Sequence, residues 1–286
     1  MKLLVIGAQY TGLAAAGFWR AQGHSVTVTT TRAARVPELQ AVADAVVVMR
    51  GSEAEKMRAA LPGHDAVLMS VAGGMVEKEG KVVLDADAYT DTYLGTARTL
   101  IAALAESPSV RCLVFPSSTS AYGDAGGQPV ADEDSPATPK SIFQQVYVDA
   151  EQALLSGASE RLAVCILRTG NIYGPGRELK TQAAAMAGRT VPLDGEAGAM
   201  VIHRDDVVRA ADFALRRGLP GVFNLVNDVT ASKREFFGAI CEREGLPPIE
   251  WKPLGAGIRQ AANTKLKAAG FVFADPLAQR DGEALL

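Results

Sequence analysis

The sequence holds only three cysteines, an odd number at wide spacing, among its 286 residues. That argues against a disulfide framework and against a zinc site, and no metal is expected. Cys112 and Cys165 lie within apolar runs and read as buried thiols of a reducing, cytoplasmic setting. No apolar run approaches the roughly 20 residues that a membrane span needs. The formal net charge is −3, with no basic cluster or stripe, so there is no electrostatic case for nucleic acid, and a family scaffold recruited to RNA is the weakest reading. There is no internal repeat and no linker of disordered composition, and the first strand begins at Lys2, so no signal or transit peptide is expected. What is present is a globular composition, 48% hydrophobic and 21% charged, large enough for one big domain or for a domain with a smaller lobe.

The first 35 residues organise the rest. Lys2-Leu-Leu-Val-Ile-Gly7-Ala-Gln-Tyr-Thr-Gly12 leads into an alanine-rich run to Gln22 and then into Ser-Val-Thr-Val-Thr-Thr-Thr-Arg32. This is a strand, a glycine turn, a helix and a second strand, the opening of a dinucleotide-binding fold. Gly7 permits the tight turn, and the helix begun near Gly12 directs unpaired N–H groups and its positive end at a pyrophosphate. Gln9 stands where the G-x-G-x-x-G fingerprint has its middle glycine, so the diphosphate sits differently or the Gln9 amide helps hold it. Gly7, Gln9, Tyr10 and Gly12 are the candidate residues of this turn.

The end of the second strand selects the cofactor. NAD sites usually have a carboxylate there for the ribose 2′-hydroxyl, whereas this chain has Thr30, Thr31, Arg32 and Arg35. A guanidinium pairs bidentately with a 2′-phosphate and threonine hydroxyls add hydrogen bonds, so NADP is favoured over NAD. The alternative is that both arginines are solvated surface residues.

Further along, Ala45–Met49 and Asp65–Met69 read as buried parallel strands around a helical segment from Glu53 to Leu61. Ser70, Val71 and Ala72, with Gly73 and Gly74, follow as small residues where backbone and cofactor approach closely. A helix is expected from Asp85 to Ala105 and a strand from Val110 to Phe115, followed by Pro116-Ser117-Ser118-Thr119. Gly123 to Lys140 reads as a long loop, Ser141 to Leu155 as a helix and Leu162 to Arg168 as a strand. The segment Thr169–Gly176 reads as a loop and Leu179–Ala187 as a helix. Thr190–Leu193 and Met200–His203 are extended, Asp205–Arg217 is a helix with Asp205 as its N-cap, and Gly221–Val226 is a strand. Ser232–Glu244 and Gly257–Ala269 are the last helices. Residues 1–170 form the cofactor domain and 171–286 mainly a substrate lobe, with segments returning to the first domain.

Several spaced motifs agree with one family: the Gly7 to Gly12 turn, Ser117-Ser118 with Tyr122-Gly123, Leu167-Arg-Thr-Gly-Asn-Ile-Tyr-Gly-Pro-Gly176, Val201-Ile-His-Arg-Asp-Asp-Val207 and Val222-Phe-Asn-Leu225. On these the chain resembles the extended short-chain dehydrogenase/reductases, the NAD-dependent epimerase/dehydratases, over nearly its full length. The Gly7-x-x-x-x-Gly12 spacing looks like that of the atypical members. The resemblance implies an α/β fold, a Rossmann doubly wound parallel sheet with a smaller C-terminal lobe. It also implies bound NAD(P), with Ser70, Val71, Ala72 and Ser117 adding to the cofactor residues, and a small-molecule substrate. Helix–helix dimers are common in that family, which makes a homodimer an expectation.

The family's chemistry uses a tyrosine as acid/base, a lysine four residues later and a serine on the reacting oxygen. With Ser118 and Glu151 as landmarks, the tyrosine position falls on Phe143 and the lysine position on Tyr147. Phe143 cannot move a proton. Tyr147 lies one turn on along the same face, and three readings stay open: a displaced acid/base, a residue holding the nicotinamide ribose, or an aromatic packed on the helix. Ser118 is the better catalytic candidate, at a strand's C-terminal end where open α/β sheets place ligands. The resemblance also puts Thr119, Tyr122, Phe143, Asn171, Arg177 and His203 near substrate. There Asn171 matches the contact of nucleotide-sugar members, Arg177 could pair with a phosphate or carboxylate, and His203 usually serves helix initiation. Lys140 and Arg259 read as surface side chains. Two functions follow: an NAD(P)-dependent oxidoreductase or epimerase acting on a small or nucleotide-sugar-like alcohol or ketone, or a catalytically silent NADP-binding sensor.

Overall fold

The opening apolar run forms strand β1 (Lys2–Ile6), then helix α1 (Tyr10–Ala21) and strand β2 (Ser25–Thr30). The computed structural model describes residues 1–78, 80–252 and 257–274, so the last part of the second domain read from the sequence, residues 275–286, lies outside the described residues. α2 (Val36–Leu39), β3 (Ala45–Val48), α3 (Ala54–Ala60) and β4 (Ala66–Met69) continue the alternation. β1 lies between β2 and β4, with Leu3 opposite both Val26 and Ala66 and both pairings parallel. Its four residues from Leu3 to Ile6 are buried, as are all four of β4. Continuous apolar runs rather than alternating ones suit strands covered on both faces.

β5 (Met75–Lys78) and β6 (Lys81–Leu84) form an antiparallel hairpin, with Val76 opposite Val83. The sequence reading passes over this hairpin, because its strands are short, largely exposed and have no buried face to impose alternation. Helix α4 (Ala86–Thr90) starts at Asp85, whose carboxylate accepts the N–H of Ala88 at 2.9 Å. A π-helical turn, Asp91–Gly95, joins it to α5 (Thr96–Ala105), so the expected long helix is continuous but carries an inserted turn.

The rest runs β7 (Cys112–Ser118), β8 (Val130–Ala131), α6 (Ile142–Leu155), β9 (Ala163–Thr169), β10 (Asn171–Tyr173), α7 (Leu179–Met186), β11 (Thr190–Val191), β12 (Val201–His203), α8 (Arg204–Arg217) and β13 (Gly221–Leu225). It ends with α9 (Lys233–Arg243), β14 (Glu250–Trp251), β15 (Gln260–Ala261) and α10 (Thr264–Ala268). Seven strands make the main sheet, in the order β3-β2-β1-β4-β7-β9-β13, which is the Rossmann-type α/β arrangement. No helix among the described residues is long and apolar enough to cross a membrane.

Three expectations are corrected. The loop from Gly123 to Lys140 contains β8, paired in parallel with β15. The loop from Thr169 to Gly176 contains β10, paired in parallel with β12. Gly257–Ala269 is not one helix but β15 followed by the short α10. Each new strand has two or three residues and exists only because a partner distant in sequence reaches it; such runs are too short to show a period.

The chain divides into two compact units. The first comprises Met1–Ser117, Lys140–Leu167 and Val208–Val222. Its core joins Leu4, Ile6, Val67, Met69, Leu113, Phe115 and Ile166 from the strands to Leu100, Leu104, Val146 and Leu154 from the helices. The second comprises Ser118–Pro139, Arg168–Val207 and Phe223–Leu286, with Tyr173, Leu179, Val201, Phe236, Phe237 and Ile240 in its core. All three cysteines are free and buried.

A buried polar contact helps fasten the late segment of the first unit, beside the Arg216 hydrogen bond to Gln22 Oε1 at 2.9 Å. The indole of Trp19, fully buried on α1, donates to Asp212 Oδ1 at 3.0 Å, while Asp212 Oδ2 pairs with Arg216 at 2.8 Å. Asp212→Ala leaves a buried N–H without its acceptor. We expect a loss of about 1–3 kcal/mol, read from urea unfolding followed by tryptophan fluorescence; a loss below about 0.5 kcal/mol would show that α8 is held by packing alone.

Candidate functional site

The β1–α1 turn is a tight backbone cradle. Gly7 has φ +92°, and a Cβ there would meet the carbonyl oxygen of Ser70 at 2.6 Å and Val71 Cα at 2.8 Å. A Cβ on Gly12 would fall onto the carbonyl oxygen of Gly7. Both glycines are therefore required by close approach of backbone to backbone. The Gly7 N–H donates to Thr29 Oγ1 at 2.9 Å and the Ala8 N–H to the Thr29 carbonyl at 3.0 Å. The Gln9 amide, in the position of the missing middle glycine, donates to the Ala72 carbonyl at 2.8 Å. It thereby ties the turn to the small-residue segment Ser70–Ala72 that follows β4.

Helix α1 begins at this turn with no side-chain cap and no acidic residue in its first turn. The N-terminal amides and the positive end of the helix dipole are thus taken by no cap and no acid of α1's own first turn, a setting that favours a phosphate. Cradle and bare helix end together fit the pyrophosphate of a dinucleotide. Tyr10 is the first residue of α1 and is half-buried.

At the end of β2, Thr30 is buried and its Oγ1 accepts the Arg32 N–H at 3.2 Å. Thr31 and Arg32 are exposed. Arg35 turns back: Nη1 donates to the Ala8 carbonyl at 2.7 Å, and Nε and Nη2 grip both oxygens of Glu38 at 3.1 and 2.8 Å. A carboxylate does stand close to this site, on α2. Sequence reading missed Glu38 because it looked for an acid at the strand end rather than a helical turn later.

Four aromatic rings cluster further along the first unit. Tyr89 and Tyr93, one on α4 and one on the π turn, lie 4.6 Å apart between ring centroids. Phe143 stands edge-on to Tyr89 at 5.1 Å, and Tyr147 lies 5.0 Å from Tyr93. Burial pushes the Tyr89 phenol up to about 12, and it also pushes Tyr147 up, helped by the cost of ionising beside Tyr93 and Tyr89. These phenols stay neutral. Next along α6, Glu151 is buried, with Oε1 accepting from Ser117 Oγ at 2.5 Å. Thr29, Tyr89, Tyr93 and Glu151 were not singled out from the sequence as site residues; only a polar side chain inside an otherwise apolar strand or helix face marked them.

Of the remaining candidates, Ser118 ends β7, half-buried, with Oγ accepting the Ser120 N–H at 3.1 Å. Thr119 is buried beside it in sequence. Tyr122 is fully buried, donates to Asn224 Oδ1 at 2.8 Å and carries the Arg168 guanidinium 4.4 Å above its ring. Asn171 is exposed and donates to Gln182 Oε1 at 2.8 Å, and Arg177 is exposed. His203 is buried, packs edge-on to Tyr173 at 5.1 Å, and its Nδ1 accepts the Asp205 N–H at 3.2 Å. Asp205 is therefore not the N-cap expected of it. α8 already begins at Arg204, and Asp205 stands within the first turn as an acid favourable to the helix dipole.

The sequence matches the model of the NAD dependent epimerase/dehydratase family over residues 3–225. Protein YeeZ of Escherichia coli (strain K12) is 28% identical over 269 residues, 88% of this chain and 86% of that protein. A 3-diazoavenalumate denitrifying reductase of Streptomyces sp is 30% identical over 263 residues, 88% of this chain and 84% of that protein. Among solved structures, a double mutant of the dTDP-glucose 4,6-dehydratase DesIV from Streptomyces venezuelae, with NAD and DAU bound, aligns with a TM-score of 0.81 at 19% identity, covering 100% of this chain and 96% of that one. MoeE5 in complex with UDP-glucuronic acid and NAD aligns with a TM-score of 0.78 at 21% identity, covering the same shares. At such identities the two structures establish the fold.

The raised phenols have a measurable signature. A Tyr whose folded value lies above the ordinary 10.0 keeps its proton while the unfolded chain releases it. Stability is therefore untouched below about pH 10 and falls as pH rises beyond it. Removing one such proton by Tyr147→Phe should make the alkaline fall in unfolding free energy shallower by up to about 1.4 kcal/mol per pH unit. Urea titrations from pH 9 to 11.5 test this, and identical slopes in the two proteins would mean that Tyr147 titrates normally.

Proposed function

The chain belongs to the NAD dependent epimerase/dehydratase family, and we propose that it is an NADP-dependent oxidoreductase or epimerase acting on a small or nucleotide-sugar-like alcohol or ketone. The observation that carries the reading is the glycine cradle abutting Ser70 and Val71 at the uncapped start of α1. Bound there, the nicotinamide cofactor supplies hydride to, or takes it from, a substrate carbon. Every other part falls to side chains.

Gly7, Gly12 and the first-turn amides of α1 hold the pyrophosphate. Gln9 braces the turn through one amide N–H given to Ala72, which leaves its second N–H for a phosphate oxygen. Exposed Arg32 pairs with the 2′-phosphate, Thr31 adds a hydroxyl, and Arg35 fixes the turn behind them through Ala8. This arrangement supports NADP over NAD. Ser118 orients the reacting oxygen, and Asn171 and Arg177, both exposed, serve substrate polar groups. Tyr122 and His203 act through the structure of the second unit: one is fully buried on Asn224 and the other holds the start of α8.

Tyr147 is a packed, neutral phenol, because catalysis by tyrosine needs a value lowered towards neutrality and burial moves this one the other way. Its part is to pack against Tyr89 and Tyr93, and the proton comes from water. The same observation favours a second reading, a silent NADP-binding sensor, which turnover separates from the first. The three buried free thiols support a reducing, cytoplasmic setting for either.

Calorimetric titration should show NADPH binding at least about tenfold tighter than NADH, the scale of one charge-assisted pair of about 1.5–3 kcal/mol, with the preference lost in Arg32→Ala. Equal affinity for both nucleotides in the wild type would end the NADP reading. In a substrate screen with NADPH, Tyr147→Phe should keep kcat within about threefold of wild type, against the 10²–10⁴-fold that losing a general acid or base costs. A loss of that larger size would return Tyr147 to catalysis.

A further inference from the structure

The charged group at the end of β2 holds one acid among two arginines, and its geometry is one-sided. Each nitrogen of Arg35 makes one hydrogen bond, two to Glu38 and one to the Ala8 carbonyl. The pair is also asymmetric in exposure, with 15% of the Arg35 side chain accessible against 55% of Glu38. The guanidinium is thus fixed by the glycine turn, while among the described residues the carboxylate is held only by the guanidinium. Hydrogen bonds from Arg35 keep the Glu38 carboxyl below the usual carboxylate range, and the Arg32 charge adds to the effect. Glu38 is therefore an anion shared by the two cations nearest the expected ribose.

We propose that Glu38 sets cofactor selectivity by occupying the Arg35 fork as an internal stand-in for the ribose 2′-phosphate. The inference rests on the NADP reading above and deepens it. A guanidinium fork accepts a carboxylate and a phosphate with the same bidentate geometry. The 2′-phosphate is captured by exposed Arg32 and takes over the Arg35 edge that faces Glu38, and the carboxylate swings into solvent from the short α2. Arg35 need not move, since its third nitrogen stays on Ala8. With the unphosphorylated cofactor the exchange does not occur, and Glu38 stays on Arg35. The carboxylate thus competes with NADP and not with NAD, narrowing the preference that the arginines create.

The test is calorimetric titration of the full chain with adenosine 2′,5′-bisphosphate and with adenosine 5′-monophosphate, for wild type and Glu38→Gln, with equal thermal midpoints as the folding control. An ion pair whose carboxylate is exposed is weak, so Glu38→Gln should bind the bisphosphate only about two- to fivefold tighter while its affinity for the monophosphate stays within about twofold. Unchanged or weaker bisphosphate binding in Glu38→Gln, with the wild type still preferring the bisphosphate, overturns the exchange and leaves the NADP reading standing. Glu38 would then merely orient Arg35. A wild type that binds both ligands equally overturns both.

Discussion

The contact on which the first unit depends is the backbone of the β1–α1 turn pressed against the end of β4. With the Ser70 carbonyl and Val71 Cα under 3 Å from where a Gly7 Cβ would stand, no side chain fits, and the turn has one way to lie. Three neighbours then pin it. Thr29 on β2 accepts the Gly7 N–H, Gln9 reaches the Ala72 carbonyl, and Arg35 caps the Ala8 carbonyl. A turn held on both sides presents the start of α1 in a fixed direction before any ligand arrives. Preorganisation of this kind spares the binding step the cost of ordering a loop.

Electrostatics follow from that geometry. The start of α1 is left bare, while acids cap other helices: Asp85 caps α4 and Glu235 completes a capping box with Ser232 on α9. A bare start is not peculiar to α1, since α3 and α7 also lack a side-chain cap; what sets α1 apart is the glycine cradle in front of it. The positive charge beyond β2 is likewise balanced by Glu38 on the surface rather than buried.

The aromatic group on α4, the π turn and α6 is the other departure. Helix α6 presents Phe143 and Tyr147, and two further tyrosines pack against them. Crowding phenols together away from water raises the cost of ionising them. The π turn matters here because an inserted residue resets the helical phase between Tyr89 and α5, a device often found at functional positions.

Much of this was written in local pattern. The apolar run from Leu3 to Ile6, the glycines five apart and the buried cysteines follow from short-range chemistry, and sequence alone was enough to place the chain in its fold and family. Sequence could also say that Phe143 carries no proton. Tertiary structure decided what depends on partners far along the chain: that β8 pairs with β15 and β10 with β12, that Asp212 receives the Trp19 indole, that His203 rather than Asp205 holds the start of α8, and that Arg35 is spent on Glu38 and Ala8. The physical reason is range. Propensity and periodicity act over one or two turns of chain, whereas the state of a charged or phenolic group is set by whatever surrounds it in space, and for Arg35 and Tyr147 those surroundings come from segments the local sequence does not contain.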